Sequence, residues 1–314
     1  MLEGKSVLVT GGAGAIGSNL VRALLPVAGR IVVLDNMDSG YPDLVARDKK
    51  VVVLAKSILD GAALDSAFRD GVDVVFHLAA NFANENSVEH PEKDILVNGL
   101  GTLRLLQQSL KHKVGRFVYA SSSCVYGNFN GAVKEDSSFH PDTPYAISKL
   151  LGERYTAFFN SHYSLPASVV RIFNSFGPGE RPGRYRNVIP NFFSCALKSR
   201  PLTITGTGRE TRDFNWVGNT VQGLLLAAYK PAAVGEAFNI GSGVSTSVLN
   251  VARLVNRIAS SKAPLRYVAR RSWDTVLHRK ADIGKAKRLL GYKPEISLEK
   301  HLRATYDWLR SDSK

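Results

Sequence analysis

Cysteine is scarce in this chain: the 314 residues include only two, Cys124 and Cys195. They lie far apart and in no spacing typical of metal ligands, so neither a disulfide-stabilised secreted domain nor a zinc site is indicated. We therefore expect a protein of the reducing cytoplasm that holds no metal ion.

The chain also lacks long hydrophobic runs. No apolar stretch approaches the roughly 20 residues that a membrane-spanning helix needs. No basic and apolar leader precedes the first strand-like segment, SVLVT at 6–10. The sequence thus predicts neither a signal peptide nor a membrane partner.

Acidic residues are fewer than basic ones, 27 against 41, which gives a net charge of +14. A nucleic-acid surface typically has clustered basic residues interleaved with aromatic side chains. The basic residues of this chain are instead scattered and are not interleaved with aromatic side chains. We interpret the excess as a general surface bias together with a pocket for a negatively charged small molecule, and expect no nucleic-acid partner.

Continuously apolar, β-rich runs alternate with helical patterns over the first half of the chain. Such runs are typical of parallel strands that are covered on both faces, and the alternation predicts an α/β fold with a Rossmann-type doubly wound parallel sheet. The predicted strands are 6–10, 31–35, 51–54, 72–80, 116–122 and 167–173, and the predicted helices are 15–25, 63–70, 91–112 and 145–162.

After Asn174 the pattern changes to shorter strands (202–205, 212–217, 236–241 and 265–268) mixed with helices. We expect a dinucleotide-binding domain at 1–173 and a smaller α/β substrate-binding domain at 174–314, from which short segments return to the first domain.

The first strand leads into TGGAGAIG at 10–17, in which Gly11, Gly14 and Gly17 are spaced three apart before a helix. Glycines at this position let the backbone approach a pyrophosphate, whose charge the helix N-terminus stabilises. The second strand ends at Asp35, eighteen residues past Gly17. A carboxylate there accepts hydrogen bonds from a ribose diol and repels a 2′-phosphate, which favours NAD over NADP.

The stretch YAISK places Tyr145 and Lys149 one turn apart on one helix face. A nearby ammonium group is expected to lower the pKa of a phenol, which would provide a proton acceptor near neutral pH. The strand at 116–122 ends in the hydroxyl run Ser121-Ser122-Ser123, followed by Cys124.

These motifs together resemble those of the extended short-chain dehydrogenases/reductases, in particular the nucleotide-sugar epimerase/dehydratase group. TGGAGAIG, HLAA (77–80), VNGLGT (97–102), SSSCVYG (121–127), YAISK, RIFNSFGP (171–178) and ETRDFNWV (210–217) occur in the order and spacing of that family. The resemblance implies that Ser122 hydrogen-bonds the reacting sugar oxygen beside Tyr145, and that Lys149 holds the nicotinamide ribose and tunes the tyrosine.

The resemblance also implies the cofactor-binding residues. One departure is Ser57, where the family commonly has an aspartate that contacts adenine. The predicted NAD-binding set is Gly11, Gly14, Ala15, Ile16, Gly17, Asp35, Asn36, Ser57, Ile58, Leu78, Ala79, Ala80, Asn98, Ser121, Tyr145, Lys149 and Phe173.

For the substrate, the resemblance implies a nucleotide diphosphate-sugar, with arginines clamping the pyrophosphate through their forked donors. The family's R-x-G-D segment is RSWD at 271–274 here, and its distance to the Ala-Asp pair at 281–282 is one residue longer, so Arg270 and Arg279 remain alternatives to Arg271. The predicted set is Ser122, Ser123, Asn174, Asn187, Val188, Thr203, Thr205, Arg212, Arg271 and Asp274.

The loop ERPGRYR at 180–186 carries three further arginines, which are either solvated or available to a carboxylated sugar such as a uronic acid.

The residues after Ser122 bear on the reaction. The family's 4,6-dehydratases typically have Asp and Glu at these two positions, and this chain has Ser123 and Cys124. A thiol replaces a carboxylic acid poorly in the elimination of water. The resemblance therefore favours an NAD-dependent 4-epimerase of UDP-linked sugars acting through a 4-keto intermediate. A 4,6-dehydratase or a keto-sugar reductase is the enzymatic alternative, and a non-catalytic NAD- or nucleic-acid-binding protein belongs to a different class.

The family resemblance further implies a homodimer. The two long helices, 91–112 and 145–162, would pair with their copies as a four-helix bundle. Apolar residues on more than one face of the second helix, among them Leu150, Leu151 and Phe158, fit this expectation.

Overall fold

The computed structural model describes residues 2–129 and 131–312. Its centre is a seven-stranded sheet in the order β12-β7-β5-β4-β1-β2-β3, in which every pair of neighbours is parallel. The strands are β1 (Ser6–Thr10), β2 (Arg30–Leu34), β3 (Val51–Leu54), β4 (Val74–His77), β5 (Arg116–Ser122), β6 (Ala132–Val133), β7 (Ala167–Ile172), β8 (Ser175–Phe176), β9 (Leu202–Thr205), β10 (Thr211–Arg212), β11 (Asn215–Trp216), β12 (Ala237–Ile240), β13 (Thr246–Ser247), β14 (Leu265–Val268) and β15 (Lys280–Ala281).

The parallel Rossmann-type sheet predicted from the sequence is confirmed. In β1, Val7, Leu8 and Val9 are fully buried, because helices cover both faces of the central strands. The edge strand β3 differs from its predicted burial: Val52 and Val53 are 39% and 45% exposed. An apolar run does not reveal whether a strand lies at the centre or at the edge of a sheet.

The helices also follow the predicted order, with boundaries that shift by a few residues. They are α1 (Ala15–Leu24), α2 (Gly61–Phe68), α3 (Asn84–Glu89), α4 (Pro91–Asp94), α5 (Thr102–Lys111), α6 (Pro144–Tyr163), α7 (Val188–Leu197), α8 (Val217–Tyr229), α9 (Val248–Ile258) and α10 (Leu298–Asp312).

The predicted helix at 91–112 forms as α4 and α5, joined by a π-helical segment, Ile95–Gly101. A Cβ atom at Gly101 would lie 2.5 Å from Cδ1 of Ile58. The absence of a side chain at Gly101 therefore lets this helix pack closely against the segment that follows β3. The short helix α3 was not predicted from the sequence.

The second half of the chain has a hydrophobic core of its own. This core is formed by β9 with α7, α9 and α10, and includes Phe192, Phe193, Ile204, Val255 and Leu302. Two elements of the same half join the large sheet instead: β12 pairs with β7, and α8 packs on β5 and β7.

The parallel arrangement brings the ends of several strands to one edge of the sheet. The glycine loop follows β1, Asp35 follows β2, Leu78–Ala80 follow β4, Ser122 ends β5 and Phe173 follows β7. In open α/β sheets, ligands bind along this carboxyl edge. No helix within the described ranges is long and apolar enough to cross a membrane.

Candidate active site at the carboxyl edge of the sheet

The glycine loop forms a tight bend between β1 and α1. Gly11 has φ +71°, and a Cβ atom there would lie 2.7 Å from the amide nitrogen of Ala79. A Cβ atom at Gly17 would lie 2.1 Å from the carbonyl oxygen of Gly11. Gly14, the residue before α1, provides no side-chain cap, so the first-turn N–H groups at Ala15 and Ile16 remain available to a phosphate.

Asp35 is fixed beside this loop. Its Oδ2 accepts a hydrogen bond from the amide of Ala13 at 2.9 Å, and its Oδ1 accepts one from the amide of Met37 at 2.9 Å. Each carboxylate oxygen can accept more than one hydrogen bond, so capacity remains for ribose hydroxyls.

The residues predicted beside the adenine occupy turns at the same edge. The Oδ1 atom of Asn36 accepts a hydrogen bond from the amide of Asp38, and Oγ of Ser57 accepts one from the amide of Leu59 at 3.1 Å. Ile58 is buried against Gly101. The hydroxyl of Ser57 is therefore engaged in its own turn.

His77, which was not predicted as a site residue, fixes the segment that follows β4. Its Nδ1 lies 2.7 Å from Oγ1 of Thr10, and its Nε2 lies 2.8 Å from Oγ1 of Thr102. Burial lowers the pKa of His77 to about 3, so the imidazole is neutral. Thr10 Oγ1 also accepts a hydrogen bond from the amide of Ala79, which positions the Leu78–Ala80 segment.

Asn98 is buried, and its side chain makes hydrogen bonds within the protein. Its Oδ1 accepts from the amide of Asn81 at 2.8 Å, and its Nδ2 donates to Asp94 Oδ1 and Ser148 Oγ, both at 3.0 Å. The Ser148 hydroxyl also donates to Asp94. This network connects the segment after β4 to α6, the helix that carries Tyr145.

Ser122, Tyr145 and Lys149 are brought together, as the sequence predicts. Ser122 ends β5, and its side chain lies near that of Tyr145 in the first turn of α6, close enough to oppose in part the rise that burial causes in the pKa of the phenol. Thr143 caps this helix through its Oγ1, which accepts from the amide of Ala146. Lys149 Nζ donates to the carbonyl oxygen of Ala120 at 2.7 Å and lies 6.0 Å from the centre of the Tyr145 ring.

The charge state of Tyr145 differs from the prediction. Burial raises its pKa above the usual value for a phenol, the neighbouring Cys124 raises it further, and the nearby Ser122 hydroxyl opposes this only in part. The predicted lowering of the Tyr145 pKa is therefore wrong. Burial also lowers the pKa of Lys149, to about 8. Desolvation was not visible in the spacing of YAISK.

Helix α3 packs beside Tyr145. Ser87 Oγ accepts a hydrogen bond from the amide of Tyr145 at 3.0 Å. Asn84 Oδ1 accepts from the hydroxyl of Thr143 at 2.9 Å, and Asn84 Nδ2 donates to Cys124 Sγ at 3.7 Å. At six residues, α3 is too short and too polar to give a clear helical pattern, which is why it was not predicted from the sequence.

The hydroxyls on either side of Ser122 have other roles or positions. Ser121 Oγ donates to Glu153 Oε1 at 2.5 Å, and Glu153 forms a buried ion pair with Arg171 at 2.9 Å. Ser123 is buried at the start of a single helical turn. Phe173 is fully buried in the main core. The structure thus ties Ser121 to the interior rather than to the site.

Arginines gather at the substrate end of the site. Arg212 and Arg270 both approach Asp274 Oδ1, at 3.7 and 3.6 Å. Arg271 instead pairs with Glu85 Oε2 on α3 at 2.8 Å. Of the three arginines that the sequence left open, Arg270 thus shares a carboxylate with Arg212, whereas Arg271 is paired with α3.

Two asparagines predicted to contact the substrate behave differently. Asn174 has a buried Oδ1 atom without a hydrogen-bond partner, so its amide is the less constrained of the two. Asn187 donates from both its amide nitrogen and Nδ2 to Glu180 Oε1, at 3.1 and 2.9 Å. Burial raises the pKa of Glu180 to about 7.

The residues predicted to line a base pocket lie on two elements of the smaller core. Val188 begins α7, and Thr203 and Thr205 lie two positions apart on β9, which places them on one face of that strand. Thr203 is exposed and Thr205 half-buried. No contact joins them to the arginine cluster within the described residues.

The three arginines of the loop at 180–186 are engaged elsewhere. Arg181 pairs with Asp43 at 2.5 Å and with Asp312 at 2.6 Å. Arg184 pairs with Glu89 at 2.7 Å, and Arg186 donates to the carbonyl oxygen of Ser39. These contacts do not support the idea that this loop binds a carboxylated sugar.

A glycine loop before a helix, a carboxylate after the second strand and a Ser–Tyr–Lys set at the end of β5 define a site of the short-chain dehydrogenase/reductase type. The chain matches the sequence profile of the NAD dependent epimerase/dehydratase family over residues 7–241, and it belongs to that family.

Solved structures of high similarity agree with this assignment. An epimerase from the methanogen Methanothermobacter thermautotrophicus is 44% identical, with a TM-score of 0.97 over 99% of this chain and 94% of that one. A UDP-glucose 4-epimerase from Thermotoga maritima, solved with UDP-glucose, is 33% identical, with a TM-score of 0.93 over 98% and 100% of the two chains. A UDP-glucuronic acid 4-epimerase from Bacillus cereus, solved with UDP-glucuronic acid and NAD, is 30% identical, with a TM-score of 0.90 over 98% and 99%.

Proposed function

We propose that this protein is an NAD-dependent 4-epimerase of UDP-linked sugars. The observation that carries the proposal is the placement of Ser122, Tyr145 and Lys149 at the end of β5, on the same sheet edge as the glycine loop and Asp35. The similarity to 4-epimerases over nearly the whole chain supports it.

The residues present fit NAD. The loop at Gly11–Gly17 has no room for a side chain at its tightest points, and α1 presents uncapped N–H groups to a pyrophosphate. Asp35 favours a ribose diol over a 2′-phosphate. When bound, NAD supplies the acceptor and later the donor of the C4 hydride, together with a positive charge in its oxidised form.

Tyr145 is the proposed proton acceptor for the sugar 4-hydroxyl. Burial raises the pKa of Tyr145, which favours the protonated phenol. We expect the phenolate to form only in the loaded site, where the Lys149 ammonium and the charge of the cofactor both favour it. Tyr145 thus exchanges a proton with the oxygen at C4 as the 4-keto sugar forms and is reduced again.

Ser122 is the proposed second partner of the same oxygen. Its hydroxyl lies close enough to Tyr145 to oppose in part the rise that burial causes in the pKa of the phenol, and it accepts a hydrogen bond from the amide of Cys124 at 3.2 Å, which fixes its position. A donor held at this point stabilises the charge that develops on the C4 oxygen. The ketone then turns in the pocket and is reduced on its other face, which inverts C4.

The second half of the chain, residues 174–314, is the proposed holder of the nucleotide diphosphate. Arg212 and Arg270 have only one carboxylate of the described residues, Asp274, within 4 Å, and both are less than one-third exposed. A pyrophosphate would supply the missing negative charge. The Oδ1 atom of Asn174 is buried without a hydrogen-bond partner, which supports a role in accepting a hydrogen bond from the substrate.

The dehydratase alternative is not favoured by the site. The two residues after Ser122 carry a hydroxyl and a thiol, and the buried carboxylates of Asp94 and Glu153 are held by Ser148 and Arg171. Neither is positioned as an acid for the removal of water from the sugar. A keto-sugar reductase would consume external NAD(P)H stoichiometrically, which the absorbance of the reduced cofactor would reveal.

The test is incubation of the purified enzyme with UDP-glucose, UDP-N-acetylglucosamine and UDP-glucuronate, each followed by NMR. We expect the C4-inverted sugar to appear without net oxidation of the substrate. A 4-keto-6-deoxy product would instead indicate a dehydratase, and the absence of any C4-inverted product would overturn the proposal.

We also propose a homodimer formed through the long helices. Apolar side chains that are more than one-third exposed lie along the π-helical segment and α6, which pack against each other. They are Ile95, Leu96, Leu100, Ile147 and Phe158. A second copy of the same two helices would cover this face as a four-helix bundle.

Light scattering at micromolar concentration tests the assembly. The wild type should have twice the monomer mass, and Leu96→Glu with Ile147→Glu should yield monomers. A monomeric wild type would contradict the proposal.

We also propose the reducing cytoplasm as the compartment of this protein. Both cysteines are free thiols, which supports this location.

A further inference from the structure

Arg279 is a buried cation whose charge is not neutralised by a carboxylate of the described residues. It lies immediately before β15 in the chain, and the residue is 6% exposed. One terminal nitrogen donates to the carbonyl oxygen of Gly127 at 3.0 Å, and the other to Cys124 Sγ at 3.4 Å. The Nε atom is buried without a partner. A buried guanidinium of this kind is costly unless an anion accompanies it.

The contacts of Arg279 place it at the sugar end of the site. Cys124, which it touches, belongs to the same turn as Ser122, because the amide of Cys124 donates to Ser122 Oγ at 3.2 Å. Cys124 is also close enough to Tyr145 to raise the pKa of the phenol. The side chain of Cys124 therefore lies between Arg279 and the groups assigned to the C4 oxygen.

A second neighbour of Arg279 is Arg212. Burial lowers the pKa of Arg212 to about 10, and the charge of Arg279 contributes to this lowering. The backbone brings the two arginines together, because the amide of Arg279 donates to the carbonyl oxygen of Thr211, the residue before Arg212, at 3.2 Å. The pyrophosphate cluster already has Arg212 and Arg270, so a third cation at the sugar end calls for a further negative charge.

Three other arginines near the site have carboxylate partners. Arg271 pairs with Glu85, Arg181 with Asp43 and Asp312, and Arg184 with Glu89. The partner of Arg279 is a thiol instead, and a thiol is a weak hydrogen-bond acceptor that a carboxylate can displace. The forked guanidinium matches a carboxylate in two parallel hydrogen bonds.

We propose that Arg279 binds a carboxylate carried by the sugar, so that the enzyme prefers acidic over neutral nucleotide sugars. The inference rests on the proposed function and names the substrate class of the same site. A sugar carries such a group either at C6, as in a uronic acid, or on an ether at C3, as in a muramic acid. Both positions are close to C4, which Ser122 and Tyr145 hold.

The test compares matched substrate pairs in the wild type and in Arg279→Gln. The pairs are UDP-glucuronate with UDP-glucose, and UDP-N-acetylmuramate with UDP-N-acetylglucosamine. We expect kcat/KM for one acidic member to exceed that of its neutral partner, and Arg279→Gln to remove on the order of a hundredfold of this preference. The neutral substrates should change far less, since they lack the carboxylate.

Binding gives a second readout that does not depend on turnover. Calorimetry in a Tyr145→Phe background, with NAD present, should show the same loss of affinity for the acidic ligand in Arg279→Gln. Arg279→Lys keeps the charge without the fork and should recover part of the preference. Arg184→Gln is the matched control on the surface, and should leave the preference unchanged.

The outcomes separate this inference from the proposed function. Epimerisation of UDP-glucose with no preference for either acidic sugar overturns the role of Arg279 and leaves the 4-epimerase intact. An equal loss on acidic and neutral substrates in folded Arg279→Gln assigns Arg279 a structural role and also overturns the inference. If Arg279→Gln does not fold, the wild-type preference and Arg279→Lys decide the question.

Discussion

The two sides of the site differ in how completely their polar groups are satisfied. On the cofactor side, Asp35 accepts two backbone hydrogen bonds, His77 lies between two threonines and Asn98 makes four contacts. On the substrate side, two arginines share one carboxylate, while Arg279 and Asn174 each have a buried atom without a partner.

This difference shows which side is preorganised. The cofactor side is held in place by many internal hydrogen bonds, so binding there costs little rearrangement. The substrate side holds positive charge that the described residues neutralise only in part, and an anionic ligand would complete it. The proposed chemistry lies where the two sides meet, at Ser122 and Tyr145.

The largest effect is expected where the two sides meet. Tyr145→Phe removes the hydroxyl group assigned to proton transfer, and should lower kcat by about a thousandfold or more. Binding of NAD and of UDP should remain, because neither side loses a contact. Tyr163→Phe, at an exposed position on the same helix, should have normal activity. Comparable activity of Tyr145→Phe and wild type would remove Tyr145 from the mechanism.

A smaller loss is expected from Ser122→Ala. Removing one donor from the developing charge at C4 typically costs on the order of a hundred- to a thousandfold in kcat. Cys124→Ser should retain turnover of UDP-glucose within a few-fold, since we assign the thiol no proton transfer. Steady-state kinetics on both variants decide the matter: near-normal Ser122→Ala, or inactive but folded Cys124→Ser, would reverse these assignments.

The preorganised cofactor side can be disturbed with a single methyl group. Gly17→Ala places a Cβ atom 2.1 Å from the Gly11 carbonyl oxygen, so the loop must shift. We expect at least about a tenfold weaker affinity for NAD, measured by calorimetry, because phosphate recognition depends on this backbone. Gly61→Ala has no atom within 4 Å of the new Cβ and serves as the control. Equal NAD affinity in the two variants would contradict the cradle.

His77 predicts a pH dependence of stability. Its pKa is about 3 in the folded protein and 6.5 in the reference state, so the unfolded chain binds the extra proton between these values. Stability attributed to His77 is therefore present above pH 6.5 and is lost as the pH falls toward 3, by at most about 1.4 kcal/mol per pH unit.

Glu180 acts in the opposite direction. Its pKa is about 7 in the folded protein, so it favours folding as the pH falls from 7 to 4.5. Denaturant unfolding of wild type and His77→Gln across this range isolates the contribution of His77 as a difference. If the free energy of unfolding changes with pH equally in His77→Gln and in the wild type, His77 does not resist protonation.

The sequence predicted the cofactor side better than the substrate side for a physical reason. The glycine loop, Asp35 and the Tyr145–Lys149 pair depend on neighbours in the chain and on strand ends that parallel pairing brings together. Arg270, Arg271 and Arg279 lie in one irregular segment, where contacts with Asp274, Glu85 and Cys124 sort them. Spacing alone could not separate these three.

Burial was a second limit on prediction. The pKa of Tyr145 is raised by desolvation, while the one-turn spacing to Lys149 suggested a lowering. The polar contacts of α3 and the bridge made by His77 also depend on residues distant in the chain. These features require the folded coordinates, because no local pattern encodes them.

The most direct test of the account follows the hydrogen at C4. UDP-glucose carrying deuterium at C4 is incubated with the enzyme in ordinary water, and the epimerised sugar is analysed by NMR and mass spectrometry; an acidic sugar labelled in the same way replaces it if turnover of glucose is slow. The account predicts that the product keeps its deuterium at C4, because the hydrogen leaves and returns without meeting solvent. Inversion accompanied by replacement of the deuterium with solvent hydrogen would contradict it.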